Sequence, residues 1–418
     1  MIRKLFTTLA PYIILFSTAF FVYGIIYSNA NFSIFTHNWH FTFALQAHTW
    51  LQGQLNLQNY YHHLEIAIFN DMYWISFPPL PSILMLPFAA FIGPYYTPDH
   101  LFALIVSLFV LMYAYKLALI QLKSRKYAIF FALFLCLATN YLHVALWGAV
   151  WHFAQNLAFL FMLMSVYYAV TPNKNHAPLS LFLFCCAMGC RPLQVIYAPL
   201  IVYLLYKRSG LTLSAFEKRL PLYGLPALAL GGLFLGLNYA RFGSIFEFGH
   251  NYLPLSMYTP GGQFSIIHMP YNLRTMFFGL PRQLPLLTPI QQRDGAFAFW
   301  LASPIVISYA VYFFYSIKNR ASYDKEFILV YLVLIPVLIG VHLLLLSAHK
   351  CNGGRQFGYR YTIDILVVLF FGLITLLSKF ETRTDNTRIY RNLVLLIFGL
   401  AVNVMGTIDF IALYHGLR

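Results

Sequence analysis

The chain has 418 residues, of which 60% are hydrophobic and only 9% are charged, and its formal net charge is +15. Soluble domains carry about 25% charged residues, so this composition excludes a soluble globular protein and indicates an integral membrane protein. The basic residues lie in short clusters between apolar segments, which is typical of lipid-facing loops and argues against a nucleic-acid partner. Five cysteines give no disulfide framework.

Membrane spans follow from apolar length, since about 20 residues are needed to cross a bilayer. The amino-terminal segment has a basic start like a signal peptide, but its apolar part is too long, so we predict an uncleaved first span. The predicted fold is an all-α polytopic membrane protein that forms a single transmembrane domain over residues 1–418. The eleven predicted spans are 8–28, 100–121, 127–143, 150–170, 178–190, 193–206, 221–240, 297–317, 327–347, 363–379 and 393–414, of which the fifth and sixth are short enough to be one broken pair.

The distribution of basic residues predicts the sidedness of these spans. Residues 5–115 contain no Lys or Arg, whereas 18 of the 27 fall in pieces that this arrangement places in the cytoplasm. The amino terminus is therefore predicted inside. Segment 78–93 would break this parity if it crossed, so we predict a re-entrant or outer-leaflet juxtamembrane helix there. The outward loops are predicted at 29–99, 241–296 and 348–362.

The first outer loop contains two candidate catalytic carboxylates. Glu65 and Asp71 are the only acids before Asp99 and have aromatic and apolar neighbours. A poorly solvated carboxylate suits a general base or the partner of a cation. The alternative is that Asp71 is a turn residue and Glu65 is an ordinary solvated acid.

Histidines are frequent in the same loop and at the start of the fourth predicted span. Zinc enzymes usually present three ligands in tight spacing such as HExxH, and the sequence has no such signature. We predict no cofactor, with a divalent metal as an open but unsupported alternative. His40, His62 and His152 are instead predicted to contact a substrate.

The third outer loop combines glycines, cations and tyrosines in the sequence HKCNGGRQFGYRYTID, residues 349–364. Glycines let the backbone approach a ligand, and arginine binds phosphate through two parallel hydrogen bonds. The pattern predicts a site for an anionic headgroup, and the alternative is a basic loop held by its own tyrosines. The candidate binding residues are Lys350, Arg355, Tyr359, Arg360 and Tyr361.

Two further arginines are candidates for binding an anion. Arg241 lies close to the predicted membrane boundary in NYARFGSIFEFGHNYLP and either binds phosphate or positions the loop against lipid headgroups. Arg191, in GCRPLQ, lies within or at the edge of the membrane, where an arginine is costly unless it is paired or functional. Its predicted partner is a lipid phosphate or an outer-loop carboxylate, and the alternative is that it snorkels to the surface.

Four segments resemble bacterial membrane proteins of the GT-C glycosyltransferase superfamily, most closely the family 39, protein mannosyltransferase-like branch. The likeness covers most of the chain in order. The segments read ALQAHTWLQGQLNL, EIAIFNDMYWISFPPLPSILMLPF, NYARFGSIFEFGHNYLP and GGRQFGYRYTIDIL.

The resemblance implies a polyprenyl-phosphate-sugar donor, an inverting transfer on the outer face, and a catalytic acid in the first outer loop. The usual acid follows the first span closely, but this chain has His37-Asn38-Trp39-His40 there. Glu65 is the best substitute. A second acid of the family, between the third and fourth spans, is replaced by His152.

These observations predict a glycosyltransferase in the bacterial cytoplasmic membrane, with its active site on the outer face. Its partners would be a polyprenyl-phosphate-linked sugar, a glycan, lipid or protein acceptor, and membrane lipids. One alternative is a transporter or flippase of lipid-linked glycans. Another is a catalytically silent protein that only binds a lipid-linked sugar.

Overall fold

The computed structural model describes residues 2–280, 295–351, 353–354, 356–380 and 386–414. Helices dominate these residues. The α-helices are α1 (Ile2–Asn29), α2 (Thr42–Leu51), α3 (Leu80–Ile92), α4 (Asp99–Leu122), α5 (Arg125–Leu137), α6 (Tyr141–Ala145), α7 (Val150–Val170), α8 (Ala177–Cys190), α9 (Ala198–Ser209), α10 (Leu213–Phe242), α11 (Pro254–Met257), α12 (Met269–Phe278), α13 (Phe299–Ala302), α14 (Ile305–Lys318), α15 (Lys325–Phe327), α16 (Ile335–Ala348), α17 (Ile363–Ser378) and α18 (Asn386–Tyr414).

Each predicted span falls on a helix, and the all-α polytopic prediction is confirmed. Among the described residues, seven helices are long and apolar enough to cross a membrane: Thr8–Asn29, Asp99–Leu122, Val150–Val170, Leu213–Phe242, Lys325–Ala348, Arg360–Ser378 and Tyr390–Leu413. The fifth of these is α15, the π-helical stretch Ile328–Leu334 and α16 in one continuous helix.

The other four predicted spans fall on the shorter helices α5, α8, α9 and α14. These have 13, 14, 12 and 14 residues. At 1.5 Å per residue each covers about 20 Å, less than the ~30 Å hydrocarbon core of a bilayer. Apolar composition therefore located these helices correctly but did not predict where they end. The predicted break between the fifth and sixth spans lies at Arg191, after which Pro192 opens a 3₁₀ turn.

The centre of the bundle is formed by α7 and α17, which are the most deeply buried of the long helices. α7 packs against α4, α8 and α9, while α17 packs against α14, α4 and α16. At the other extreme, only 6% of the apolar window of α10 is buried. Residues at the end of the bundle where α7 and α17 begin are therefore carried by its two best-packed helices.

The first outer loop folds into helices and a small sheet. β1 (Ile66–Phe69) and β2 (Met72–Ile75) pair antiparallel, joined by Asn70 and Asp71 with φ of 50° and 57°. Two positive φ values are the mark of a tight hairpin turn, in which Asn and Asp are favoured after glycine. α3 covers the segment predicted as a juxtamembrane helix; at 13 residues it is too short to cross, and it packs against α2 and α8.

A turn at Gly148, directly before α7, packs against the first outer loop. The Nδ2 group of Asn38 donates to Oδ2 of Asp99 at 2.7 Å and to the carbonyl oxygen of Gly148 at 3.0 Å. A Cβ atom at position 148 would lie 2.5 Å from the carbonyl carbon of Asp99, so only glycine fits. The turn places the first residues of α7, Trp151 and His152, beside the first outer loop.

Candidate active site

A cavity of about 790 Å³ lies where the three predicted outer loops meet. Its volume falls in the range typical of small-molecule sites. The lining also includes the first turn of α7 and the last turns of α18, so the cavity lies at one end of the bundle. The polar and aromatic lining residues are His40, Tyr60, His62, Glu65, Trp147, Trp151, His152, His250, Thr259, Tyr271, Asn272, His349, Lys350, Cys351, Arg360, Tyr361 and Phe410.

Backbone hydrogen bonds hold the loops together around this cavity. The second and third loops pair through a β-bridge between Phe264 and His349, and the backbone N–H of Lys350 donates to the carbonyl oxygen of Gln263 at 2.9 Å. The second loop meets the first where the His250 ring bonds the carbonyl oxygen of Ser76. A carbonyl oxygen only accepts, so the proton of His250 is on Nδ1.

Arg360 is the cation most firmly set in the cavity wall. Only 2% of the residue is exposed, and its Nη2 group donates to the carbonyl oxygen of Gly353 at 2.9 Å. Its Nη1 group donates to the carbonyl oxygen of Trp151 at 3.2 Å and to Oε1 of Gln155 at 3.3 Å. All these acceptors are neutral, Nε has no hydrogen-bond partner, and Arg360 forms no ion pair within the described part of the chain. A buried charge without a counterion suits an anionic ligand.

Behind Arg360 lies an ion pair that orients it. Arg191 donates from Nε and Nη2 to Oδ2 of Asp364 at 2.9 and 2.8 Å, and its guanidinium lies 4.9 Å from the ring centre of Tyr361. Gln155 donates from Nε2 to Oδ1 of Asp364 at 2.8 Å and to the carbonyl oxygen of Arg360 at 3.0 Å. Arg191 therefore has a carboxylate partner, one of the two predicted kinds, and it does not line the cavity.

Glu65 lies opposite these cations, directly before β1. The indole Nε1 of Trp151 donates to its Oε2 at 3.0 Å. Glu65 is solvent-accessible and lines the cavity. Burial raises the pKa of Glu65, while the Trp151 hydrogen bond and the charges of Arg360 and Lys350 oppose this shift. A carboxylate with a raised pKa is a better proton acceptor than an ordinary surface glutamate.

Neighbouring groups of the second and third loops are held in their neutral or less charged forms. Burial lowers the pKa of His250 to about 3 and that of His349 to about 4. Burial also lowers the pKa of Lys350, while the charge of Glu65 opposes this shift. The two imidazoles are therefore uncharged at neutral pH, and Lys350 and Arg360 line the same cavity.

Three histidines predicted as substrate contacts all line the cavity. The His40 ring lies 4.9 Å from that of Trp151, and the His62 ring meets that of Tyr60 edge-on at 4.9 Å. His152 is buried, and its Nε2 lies 3.2 Å from Nε2 of His143. No group of three His, Cys, Asp or Glu side chains close enough to hold a metal ion occurs within the described residues.

Other predicted residues lie outside the cavity. Asp71 is exposed in the hairpin turn, as the alternative for that residue anticipated. Tyr359 is fully buried behind the wall. Arg241 donates from Nη1 to the carbonyl oxygen of Ile75 at 3.2 Å and from Nη2 to Oδ1 of Asn238 at 2.8 Å, so it fastens the base of the hairpin to α10. Arg355 lies outside the described residues.

Sequence reasoning missed Trp151, Gln155 and Asp364. Gln155 is a polar residue in a predicted span, four positions after Trp151 and therefore on the same helical face. Asp364 is an acid at the start of another span. Polar and ionisable residues in spans are costly and usually functional or paired, which is the signal that would have selected both.

Fold and cavity together define a polytopic membrane protein with a cavity at one end of its bundle that Lys350 and Arg360 line. Its fold is similar to that of ArnT from Cupriavidus metallidurans, whose crystal structure was solved bound to undecaprenyl phosphate. The TM-score is 0.51 at 11% identity, and the match covers 91% of this chain but only 62% of the ArnT chain. At this identity the likeness shows the fold alone. No protein-family model matches the chain, and no curated protein does either.

Proposed function

We propose that the protein is a glycosyltransferase that moves a sugar from a polyprenyl phosphate to an acceptor hydroxyl. The observation that carries the proposal is the position of Trp151, whose indole N–H binds Glu65 and whose carbonyl oxygen binds Arg360. One residue thus holds a base and an anion-binding group on the same cavity. The ArnT structure, with its bound undecaprenyl phosphate, supports a lipid-linked donor for this fold.

In the proposed reaction, the carboxylate of Glu65 takes the proton of the acceptor hydroxyl. The hydroxyl oxygen attacks the anomeric carbon, and the bond from that carbon to the phosphate oxygen breaks. The leaving phosphate keeps the electron pair, and Arg360 with Lys350 stabilises its charge. The histidines His40, His62 and His152 would contact the sugar or the acceptor.

The test compares Glu65→Gln with Asp71→Asn in a transfer assay that uses purified protein and undecaprenyl-phosphate sugars. Glu65→Gln keeps the size and most contacts but cannot accept a proton, so we expect transfer to fall by a factor of about 10² to 10⁴. Asp71→Asn makes the same chemical change in a turn where Asn also tolerates positive φ, so its activity should stay near wild type. Full activity of Glu65→Gln contradicts the assignment of the base.

The donor sugar is found by comparing lipids of a deletion strain with those of the parent. Accumulation of one polyprenyl-phosphate sugar identifies the substrate. If the protein only binds this lipid, Arg360 variants would still bind it more weakly, but no form of the protein would catalyse transfer. Transport of the lipid-linked sugar would instead leave the glycosidic bond intact.

The proposed location is the bacterial cytoplasmic membrane, with the amino terminus inside and the cavity on the outer face. The support is the cluster of basic residues at the ends of helices remote from the cavity. The finer assignment to the family 39 branch rests on the sequence resemblance. Labelling of Cys351 in intact cells by a membrane-impermeant thiol reagent tests the sidedness, because Cys351 lines the cavity.

A further inference from the structure

A second recess, which we call the basic groove, lies at the opposite end of α7 from the cavity. It has a volume of about 390 Å³, and α7 contributes Tyr168 to it, whereas it contributes His152 to the cavity. Sixteen residues of α-helix separate these two by about 24 Å. The groove is also lined by the end of α9 and the start of α10, so it is distinct from the candidate active site.

Two arginines provide the charge of the basic groove. Arg208 is half-buried, and its Nε donates to the carbonyl oxygen of Thr171 at 2.6 Å, which aims the guanidinium across the groove. Arg219 approaches from α10 and is exposed. Neither arginine forms an ion pair within the part of the chain that the structure describes. Asn173 and Asn175 add amide groups at the same edge. These donors match a phosphate group.

The opposite side of the basic groove is apolar. It is formed by Leu205, Leu211, Leu222 and Tyr223. From there an exposed apolar face continues along α10, where Leu222, Leu225 and Leu228 are 68%, 60% and 65% exposed. Because so little of this long helix is buried, its face is accessible to lipid chains in a membrane.

We propose that the basic groove binds an anionic phospholipid, with the headgroup phosphate between Arg208 and Arg219 and one acyl chain along Leu222, Leu225 and Leu228. A free phosphate compound would satisfy the arginines but would leave the apolar wall unused. The continuity of the cationic edge with a lipid-facing helix therefore favours a lipid. The site is independent of the transfer reaction and would hold α10 against the bundle.

Native mass spectrometry of the full chain in detergent tests this proposal. Phosphatidylglycerol is the probe, phosphatidylethanolamine is its zwitterionic counterpart, and glycerol 3-phosphate is the headgroup without chains. We expect the wild type to retain phosphatidylglycerol preferentially and the double variant Arg208→Ala/Arg219→Ala to bind it about tenfold more weakly. Glycerol 3-phosphate should not displace it.

The matched control is Lys123→Ala/Lys126→Ala, which removes the same charge from exposed residues that do not line the groove. It should retain phosphatidylglycerol like the wild type. Equal loss in both double variants would overturn the proposal, because binding would then follow net charge. Displacement by glycerol 3-phosphate at similar concentration would also overturn it in favour of a soluble anion.

A second pair of variants keeps every charge and guards against misfolding of the arginine variant. Leu222→Trp fills the apolar wall, whereas Leu344→Trp makes the same change on an exposed position of α16. Only Leu222→Trp should weaken retention of phosphatidylglycerol. If Leu222→Trp and Arg208→Ala/Arg219→Ala each retained phosphatidylglycerol like the wild type, the site would be refuted.

Discussion

The guanidinium of Arg191 meets the carboxylate of Asp364 at 2.8 Å, in an ion pair whose acidic side chain is only 2% exposed. The other oxygen of Asp364 holds Gln155, which in turn binds the backbone and the side chain of Arg360. A predicted substrate-binding arginine thus acts through two intermediaries on the arginine that reaches the cavity.

Asp364→Asn should destabilise the protein, because it leaves Arg191, whose side chain is only 22% exposed, without its counterion. Breaking a buried pair in this way typically costs about 3 to 5 kcal/mol of unfolding free energy. Glu326→Gln is the matched control, since Glu326 pairs with Lys207 at an exposed position and such pairs contribute about 1 kcal/mol or less. Thermal unfolding in detergent should rank Asp364→Asn well below Glu326→Gln. Equal melting temperatures would contradict the role of the pair.

Trp151→Phe should shift the acidic limb of the activity profile to higher pH. The Trp151 hydrogen bond opposes the rise in the pKa of Glu65. Its loss raises that pKa further, so the carboxylate needs a higher pH to lose its proton. A bond to a charged group is worth about 1.5 kcal/mol, which corresponds to about one pH unit.

The readout is kcat/KM for transfer against pH. Trp300→Phe is the matched control, because its Nε1 donates to the carbonyl oxygen of Phe277 at 2.8 Å and it does not line the cavity. Its profile should superimpose on that of the wild type. An unshifted limb in Trp151→Phe would show that Glu65 is not the group that limits the rate at low pH.

Arg360→Lys should bind undecaprenyl phosphate about tenfold more weakly while keeping the positive charge. A lysine cannot reproduce the planar fork that bonds Gly353, Trp151 and Gln155 together. Arg320→Lys makes the same change at an exposed position beyond α14 and should bind normally. Binding is measured by titrating the lipid in native mass spectrometry. Wild-type affinity in Arg360→Lys would mean that charge alone suffices at this position.

His250→Gln should weaken the dependence of stability on pH below about 7. Because burial holds the pKa of His250 at about 3, the native ring stays neutral while the unfolded ring takes up a proton below pH 6.5. The unfolded state then binds more protons, so stability falls as pH drops from about 6.5 towards 3. One such group contributes at most about 1.4 kcal/mol per pH unit.

Melting temperatures between pH 8 and pH 5 check this expectation. Glutamine retains an N–H donor for the carbonyl oxygen of Ser76, so any constant offset at pH 8 reports the changed packing. The slope below pH 7 reports the imidazole. Identical slopes in both proteins would show that His250 is protonated in the native state.

The sequence predicted the helices well because a membrane span can be recognised from the length of its apolar segment, which is a local property of the sequence. It also pointed to Glu65, Lys350 and Arg360, which line the cavity, because charged residues are rare in this chain. It did not predict the contact of Arg241 with Ile75, which lies 166 residues away in the chain, or the full burial of Tyr359. Likewise, Gln155 and Asp364 lie 209 residues apart, and only folding brings them together.

Arg360 also begins the candidate span Arg360–Ser378, the best-buried of the long helices. The cation that would bind the lipid phosphate is thus the first residue of this central helix. A ligand that binds the folded state alone raises its stability by RT ln(1 + [L]/Kd), about 2.7 kcal/mol at a hundredfold excess over Kd. A bound phosphate would supply a counterion for the buried charge of Arg360 at the start of that helix. A lipid donor would therefore stabilise the bundle, and the lipid-bound protein would have a higher melting temperature than the lipid-free protein.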